Sequence, residues 1–181
     1  MPRQTSPTDL IFSRLQDALG LLNPPATARP YPAESAQEVP LAPDDLRHSR
    51  GLMRINHAGE IAAQALYHGQ ALTARHAETR EHLLDAAAEE AAHLHWCENR
   101  LKELGAKPSQ FQPLWYAGSF AIGAVAGLTG DGWSLGFVEE TERQVTAHLD
   151  EHLRHLSEED QRSRAILETM REDEARHGAE A

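Results

Sequence analysis

The sequence is short of the features that usually disclose a function, and each shortage excludes something. A single cysteine, Cys97, stands in 181 residues. That rules out an intramolecular disulfide framework and argues against a thiolate zinc or iron–sulfur site. It leaves a reducing cytosol as the compatible compartment, with Cys97 expected to be a buried helix residue. There is no dense block of Lys or Arg, and the formal charge is −11, so no nucleic-acid partner is expected. The chain carries no P-loop, no G-x-G-x-x-G and no nucleophile elbow, which removes phosphoryl transfer and the conventional nucleotide-binding folds. The opening MPRQTSPTDLIF has no apolar core of a secretory signal, and Asp9 fits a transit peptide poorly, so cytoplasmic residence is expected. No segment alternates apolar and polar residues as a half-buried strand does. The most apolar stretch, Leu114–Gly130, has 17 residues, just under the usual length for spanning a bilayer.

What remains is helical periodicity. Residues 8–22 place Leu10, Ile11, Leu15, Leu19 and Leu22 on one face behind a cap at Thr8, and the prolines from Asn23 to Pro43 then forbid a helix and suggest an extended linker. A long helix is expected from Asp44, as N-cap, to about His76, with the stripe Met53, Asn56, Glu60, Ala63, Tyr67 and Gln70. A second should run from about Glu78 to Leu104, ended by Gly105, and a third from about Gly132 to Leu156. Ser157-Glu158-Glu159-Asp160 resembles a capping box opening a fourth. The expected architecture is all-α: residues 1–43 form a short helix and a Pro-rich linker, and residues 44–181 form a four-helix bundle. Leu114–Gly130 is the apolar crossover between its second and third helices. Trp115, Tyr116 and Trp133 flank that run as amphipathic aromatics, which gives it a second reading, contact with a membrane surface.

The chemistry sits where carboxylates interrupt apolar stripes. Two E-x-x-H motifs occur, Glu90-Ala91-Ala92-His93 and Glu174-Ala175-Arg176-His177. Residues i and i+3 share a helix face, so each motif aims a carboxylate and an imidazole at one point. Glu90 lies between Leu83 and Cys97, and Glu174 follows Leu167 and Met170. A lone carboxylate buried in such a setting is costly or takes up a proton; a cation removes the penalty. The other two helices supply Glu60, between Met53 and Tyr67, and Glu142, between Leu135 and Leu149. Glu139 competes with Glu142 for the third-helix position, and Glu142 is better centred on its stripe. One Glu from each of two helices and an E-x-x-H from each of the other two is a ligand set that bundles use for paired iron or manganese. His57 and His148 are candidates to hydrogen-bond behind a ligand. Tyr67 faces the same interior, chiefly as core.

The segments Arg54–Gln70 (RINHAGEIAAQALYHGQ), Glu89–Leu94 (EEAAHL), Pro113–Trp115, the Gly-rich run through Gly130, Phe137–Leu149 (FVEETERQVTAHL) and Asp173–His177 (DEARH) together resemble the demethoxyubiquinone hydroxylases of ubiquinone biosynthesis. The likeness covers about Leu46 to His177. It implies a ferritin-like bundle with two iron ions per chain, the ligands falling on Glu60, Glu90, His93, Glu142, Glu174 and His177. It also implies dioxygen as co-substrate, a polyprenyl demethoxyubiquinol as the molecule hydroxylated, and a peripheral place on the cytoplasmic side of the cell membrane, through the region 114–137. Further copies of the chain, or other ubiquinone-biosynthesis proteins, are the partners it suggests. The family continues past the last ligand helix with another hydrophobic segment, whereas this sequence stops at Ala181; a truncated form is the expectation. An iron-storing or iron-oxidising protein of ferritin or rubrerythrin type is the alternative reading of the same motifs.

Overall fold

The computed structural model describes residues 29–180, and among them every regular element is an α-helix. The helix expected over residues 8–22 lies outside the described residues. The elements are α1 (Pro43–Thr73), α2 (Ala77–Glu103), α3 (Gln112–Leu128), α4 (Asp131–His155) and α5 (Gln161–Glu180). Short connections make two helical hairpins, α1 with α2 and α4 with α5, and the bundle is ferritin-like. Helix α3 lies chiefly along α1, with a smaller contact to α4.

Local chemistry explains the helix ends, with two departures from the expected caps. Helix α1 begins two residues earlier than Asp44 as N-cap would dictate: Ala42 is the N-cap and makes no side-chain cap bond, while Pro43 fills the first turn. Proline is suited there because its missing N–H would have had no partner, and Asp44 and Asp45 then oppose the positive end of the helix. At the start of α5 the working cap is Asp160 rather than Ser157, its Oδ1 accepting from the Ser163 backbone N–H at 3.1 Å. Gly105 does end α2, at φ +65°. Its N–H reaches the Lys102 carbonyl at 3.0 Å and the Ala106 N–H reaches that of Leu101 at 2.8 Å, a Schellman pair.

Helix α3 is a full helix despite its glycines, and two of them, Gly123 and Gly127, are where it meets α1. A methyl group at Gly123 would collide with the carbonyl of Leu66, one at Gly69 with that of Phe120, and one at Gly127 with Thr73 Oγ1. Leu114, Trp115, Ile122, Val125 and Leu128 are left exposed on the opposite side. Among the described residues no helix is long and apolar enough to cross a membrane.

Two apolar layers enclose a polar one. Met53, Trp96, Cys97, Leu101, Leu149, Leu167 and Met170 belong to one layer, and Leu66, Tyr67, Leu83, Ala87 and Val138 to the other. Cys97 and Tyr67 are thus core residues, as expected. Glu60, Glu90 and Glu142 lie between the layers along their helices, and Glu174 follows the first layer's Leu167 and Met170 along α5. The proline-containing segment from Arg29 to Ala42 is non-helical but closely packed: Ala33 is fully buried, and Tyr31 and Leu41 rest on the first layer. A buried arginine fixes its far side. Arg100 donates from Nη1 to Glu38 and Glu103, both at 2.9 Å, from Nη2 to Asp160 at 2.8 Å, and from Nε to Ser163 Oγ at 2.9 Å. One guanidinium therefore ties α2, the cap of α5 and the N-terminal segment together.

Candidate metal centre

Each site side chain comes from the middle of a helix whose neighbouring turns are apolar, so packing the stripes brings the polar positions face to face. Glu60 arrives on α1, Glu90 and His93 on α2, Glu142 on α4, and Glu174 and His177 on α5. All six are buried, and His93 is wholly inaccessible. They form two overlapping groups with ligand atoms within 4.8 Å of one another: Glu60, Glu90, His93 and Glu174; and Glu90, Glu142, Glu174 and His177. Glu90 and Glu174 belong to both. Glu90 sets Oε2 3.1 Å from His93 Nδ1 and Oε1 3.8 Å from His177 Nδ1. Glu174 repeats the pattern, with Oε1 3.1 Å from His93 Nδ1 and Oε2 3.4 Å from His177 Nδ1. Two carboxylates that each offer one oxygen to either side could be shared by a pair of cations.

The donor atoms fit a metal on their own account. Glu90 Oε1, Glu142 Oε1, both oxygens of Glu174 and both ring nitrogens of His177 are buried without a hydrogen-bond partner among the described residues. His177 Nε2 is 3.1 Å from Glu89 Oε2, but the orientation makes no hydrogen bond. Orphaned buried acceptors in such number are rare in native proteins unless something else satisfies them. Oxygen and imidazole donors suit iron or manganese. Either group could hold such an ion.

Glu142 and Glu139 are separated by burial: Glu142 is 1% exposed and belongs to the cluster, whereas Glu139 points to solvent. Of the two histidines expected to support a ligand, His57 is buried with its Nδ1 unpartnered among the described residues, and His148 is exposed and packs on the His152 ring. Asp173 takes the supporting role for His93. Its Oδ2 lies 3.0 Å from His93 Nε2, accepts an ion pair from Arg29 at 2.7 Å, and its Oδ1 is 3.0 Å from Arg176. Holding the proton on Nε2 leaves His93 Nδ1 facing the carboxylates. Sequence reasoning passed over Asp173, Glu89 and Arg29. The available signal was the acidic residue directly before each motif glutamate, in Glu89-Glu90 and Asp173-Glu174.

Protons gather where cations would sit. Burial, followed by the charges of Glu174 and Glu60, raises Glu142 to about 10. For His177 burial opposes the charged ring, but Glu174, Glu90 and Glu89 outweigh it and raise the group to about 9. Both values lie above those of an unfolded chain, so stability from these protons is complete below the ordinary values of 4.5 and 6.5 and is lost as pH rises toward 10 and 9. The melting temperature of chelator-treated protein is therefore expected to fall by about 5 °C or more between pH 5 and pH 9. Glu142→Gln should flatten the decline. A flat or rising profile for the metal-free wild type would contradict this electrostatic account.

A cavity of about 410 Å³ opens beside the centre between α1 and α4. Ile55, Ala63, Phe137, Val145 and Leu149 give it apolar walls, and Glu60, Glu142 and Glu174 lie along it.

A bundle with two E-x-x-H helices and such a cavity can now be compared with known proteins. Residues 47–181 match the family described as Ubiquinone biosynthesis protein COQ7. The chain is 59% identical over 181 residues to a protein named 3-demethoxyubiquinol 3-hydroxylase of Xanthomonas euvesicatoria pv. vesicatoria (strain 85-10), covering 99% of this chain and 83% of that one. It is 55% identical to the protein of the same name in Bordetella petrii (strain ATCC BAA-461 / DSM 12804 / CCUG 43448), covering 99% of this chain and 80% of that one. With three quarters of its length matched and the centre assembled on the matched helices, the chain belongs to the COQ7 family of ubiquinone biosynthesis proteins.

Proposed function

We propose that this chain hydroxylates the ring of a demethoxyubiquinol (2-polyprenyl-3-methyl-6-methoxy-1,4-benzoquinol), with dioxygen as co-substrate, at a di-iron centre held by Glu60, Glu90, His93, Glu142, Glu174 and His177. The observation that carries this reading is the apolar cavity ending on Glu60, Glu142 and Glu174: a flat, weakly polar ring fits it, and the carboxylates mark where the reacting carbon must come. Bound iron, reduced by a two-electron donor, would supply the oxygen activation by which one atom of dioxygen enters a ring C–H bond and the other leaves, with two protons, as water.

The chain's own residues do the rest. Glu90 and Glu174 would be shared by the two ions, and Asp173 keeps the His93 ring turned with Nδ1 inward. Phe137, Val145 and Leu149 exclude water from the face where the ring would lie. The test is metal analysis and a quinol hydroxylation assay on one sample. About two irons per chain and oxygen uptake dependent on the quinol are expected. An iron-loaded sample that hydroxylates no quinol, or assembles into a shell that accumulates mineral, would refute the reading.

The same reading sets the exposed face of α3, with Trp115, Ile122 and Val125, together with Trp133 in the first turn of α4, on the cytoplasmic surface of the membrane, where a polyprenyl tail resides. Apolar and aromatic side chains on one helical face bury well at the headgroup boundary. Wild type should co-sediment with phospholipid vesicles, and Trp115→Ser with Ile122→Ser and Val125→Ser should weaken this at least about tenfold. Undiminished binding would show that another surface is used; self-association lost in the same variant would assign the face to a second copy.

A further inference from the structure

The cavity beside the centre has one buried polar group that neither the metal ligands nor the fold accounts for. Asn56 lies on α1 one turn before Glu60, is 4% exposed and lines the cavity. Its Oδ1 is 2.8 Å from Nδ1 of His152 on α4. His152 is itself buried, and burial, helped by the charge of His148, lowers it to about 4. The ring is therefore neutral near pH 7, with a single N–H, and in the tautomer protonated on Nδ1 that N–H donates to Asn56 Oδ1. With Oδ1 so engaged, Asn56 Nδ2 is left buried without a partner among the described residues. Among the described residues no other side chain lining the cavity has a buried donor left without a partner; His148 is exposed. Thr141 Oγ1 donates to the Phe137 carbonyl at 2.8 Å, and Gln144 Nε2 donates to Glu140 at 2.7 Å. Glu142 and Glu174 bring unpartnered acceptors. A buried donor held in place by a neighbour and given nothing to bind is destabilising, and its occurrence beside a cavity marks a missing acceptor.

We propose that Asn56 is a substrate-recognition residue: its Nδ2 donates a hydrogen bond to an oxygen on the ring of the bound quinol, and His152 is the positioning residue that aims it. This rests on the hydroxylase reading above and adds how the ring is oriented. The apolar walls would accept any flat hydrocarbon of similar size, and a methyl-sized difference in such a pocket discriminates only weakly. A fixed donor selects a ring that carries oxygen and sets which edge faces Glu60, one turn along the same helix.

The experiment measures binding to the iron-loaded enzyme of two probes: the oxidised substrate ring with a short isoprenoid tail, and a hydrocarbon analogue with methyl groups in place of the ring oxygens. Wild type should bind the oxygenated ring more tightly. Asn56→Leu should lose about tenfold in affinity for it and less than about twofold for the hydrocarbon, at unchanged iron content and helicity. In turnover the change should fall mainly on KM. His152→Phe should reproduce the selective loss in weaker form, and His152→Gln should restore much of it, because a glutamine amide can still donate to Asn56 Oδ1. If Asn56→Leu does not fold, the contrast between His152→Phe and His152→Gln decides. Equal loss for both probes, no loss for the oxygenated ring, or a wild type that does not distinguish the probes would overturn the proposal. Wild type that binds the oxygenated ring selectively but does not hydroxylate the quinol would instead count against the hydroxylase reading.

Discussion

Replacing Glu174 with glutamine is expected to lower the bound metal from the proposed two ions per chain to fewer than one and to reduce quinol hydroxylation by at least about a hundredfold. Glu174 is one of two residues common to both ligand groups, with one oxygen near His93 and the other near His177. An amide keeps the shape but offers a single neutral acceptor oxygen, so one side of the pair loses a ligand and both lose a charge. The consequence exceeds what loss of Glu60 or Glu142 should produce, since each of those belongs to one group alone. Glu139→Gln on the exposed side of α4 is the control and should change neither metal content nor turnover. Metal analysis and oxygen uptake on matched samples check both variants. Full metal occupancy in Glu174→Gln would show that the shared carboxylate does not bridge.

Gly123→Ala should lower the melting temperature by about 5 °C or more, while Gly118→Ala on the same helix should leave it unchanged or raise it slightly. The same methyl group is added in both. At Gly123 it meets the backbone of Leu66, including the carbonyl oxygen, which cannot move without shifting α1. Overpacking of that kind costs about 1–3 kcal/mol. At Gly118 nothing among the described residues lies within 4 Å of the added carbon, and alanine is the better helix former. Because Leu66 is six residues from Glu60 on α1, a displaced helix would also disturb the centre, and activity should fall with stability in Gly123→Ala alone. Thermal melts followed by circular dichroism read the first effect. Equal melting temperatures for the two variants would mean that α3 is not held through its glycines.

Much of this molecule could be read before any coordinates. The helical extents follow from stripes such as Leu83–Glu90–Cys97 and Leu135–Glu142–Leu149, because a 3.6-residue period is recorded in neighbouring positions. The two E-x-x-H motifs were legible for the same reason, each pair lying within one turn. Choosing Glu142 over Glu139 was harder from sequence, since both are near the stripe. Burial of Glu142 at 1% with Glu139 exposed separates them. The caps were misplaced at Asp44 and Ser157 because residues able to cap crowd both helix starts, and only the backbone path selects Ala42 and Asp160.

The sequence by itself determined the all-helical architecture, the positions at which carboxylates interrupt apolar faces, and the absence of any competing catalytic motif. Tertiary structure decided which side chains meet. It put Asp173 on His93 across 80 positions of sequence, wrapped four partners around Arg100, seated α3 on α1 through three glycines, and turned Asn56 toward a cavity by way of His152. The division has a physical cause. Backbone hydrogen bonding fixes relations within a turn and repeats along the chain, so it leaves a periodic trace. Contacts between helices depend on how whole faces dock, and a residue's distant partner leaves no mark on its neighbours in sequence.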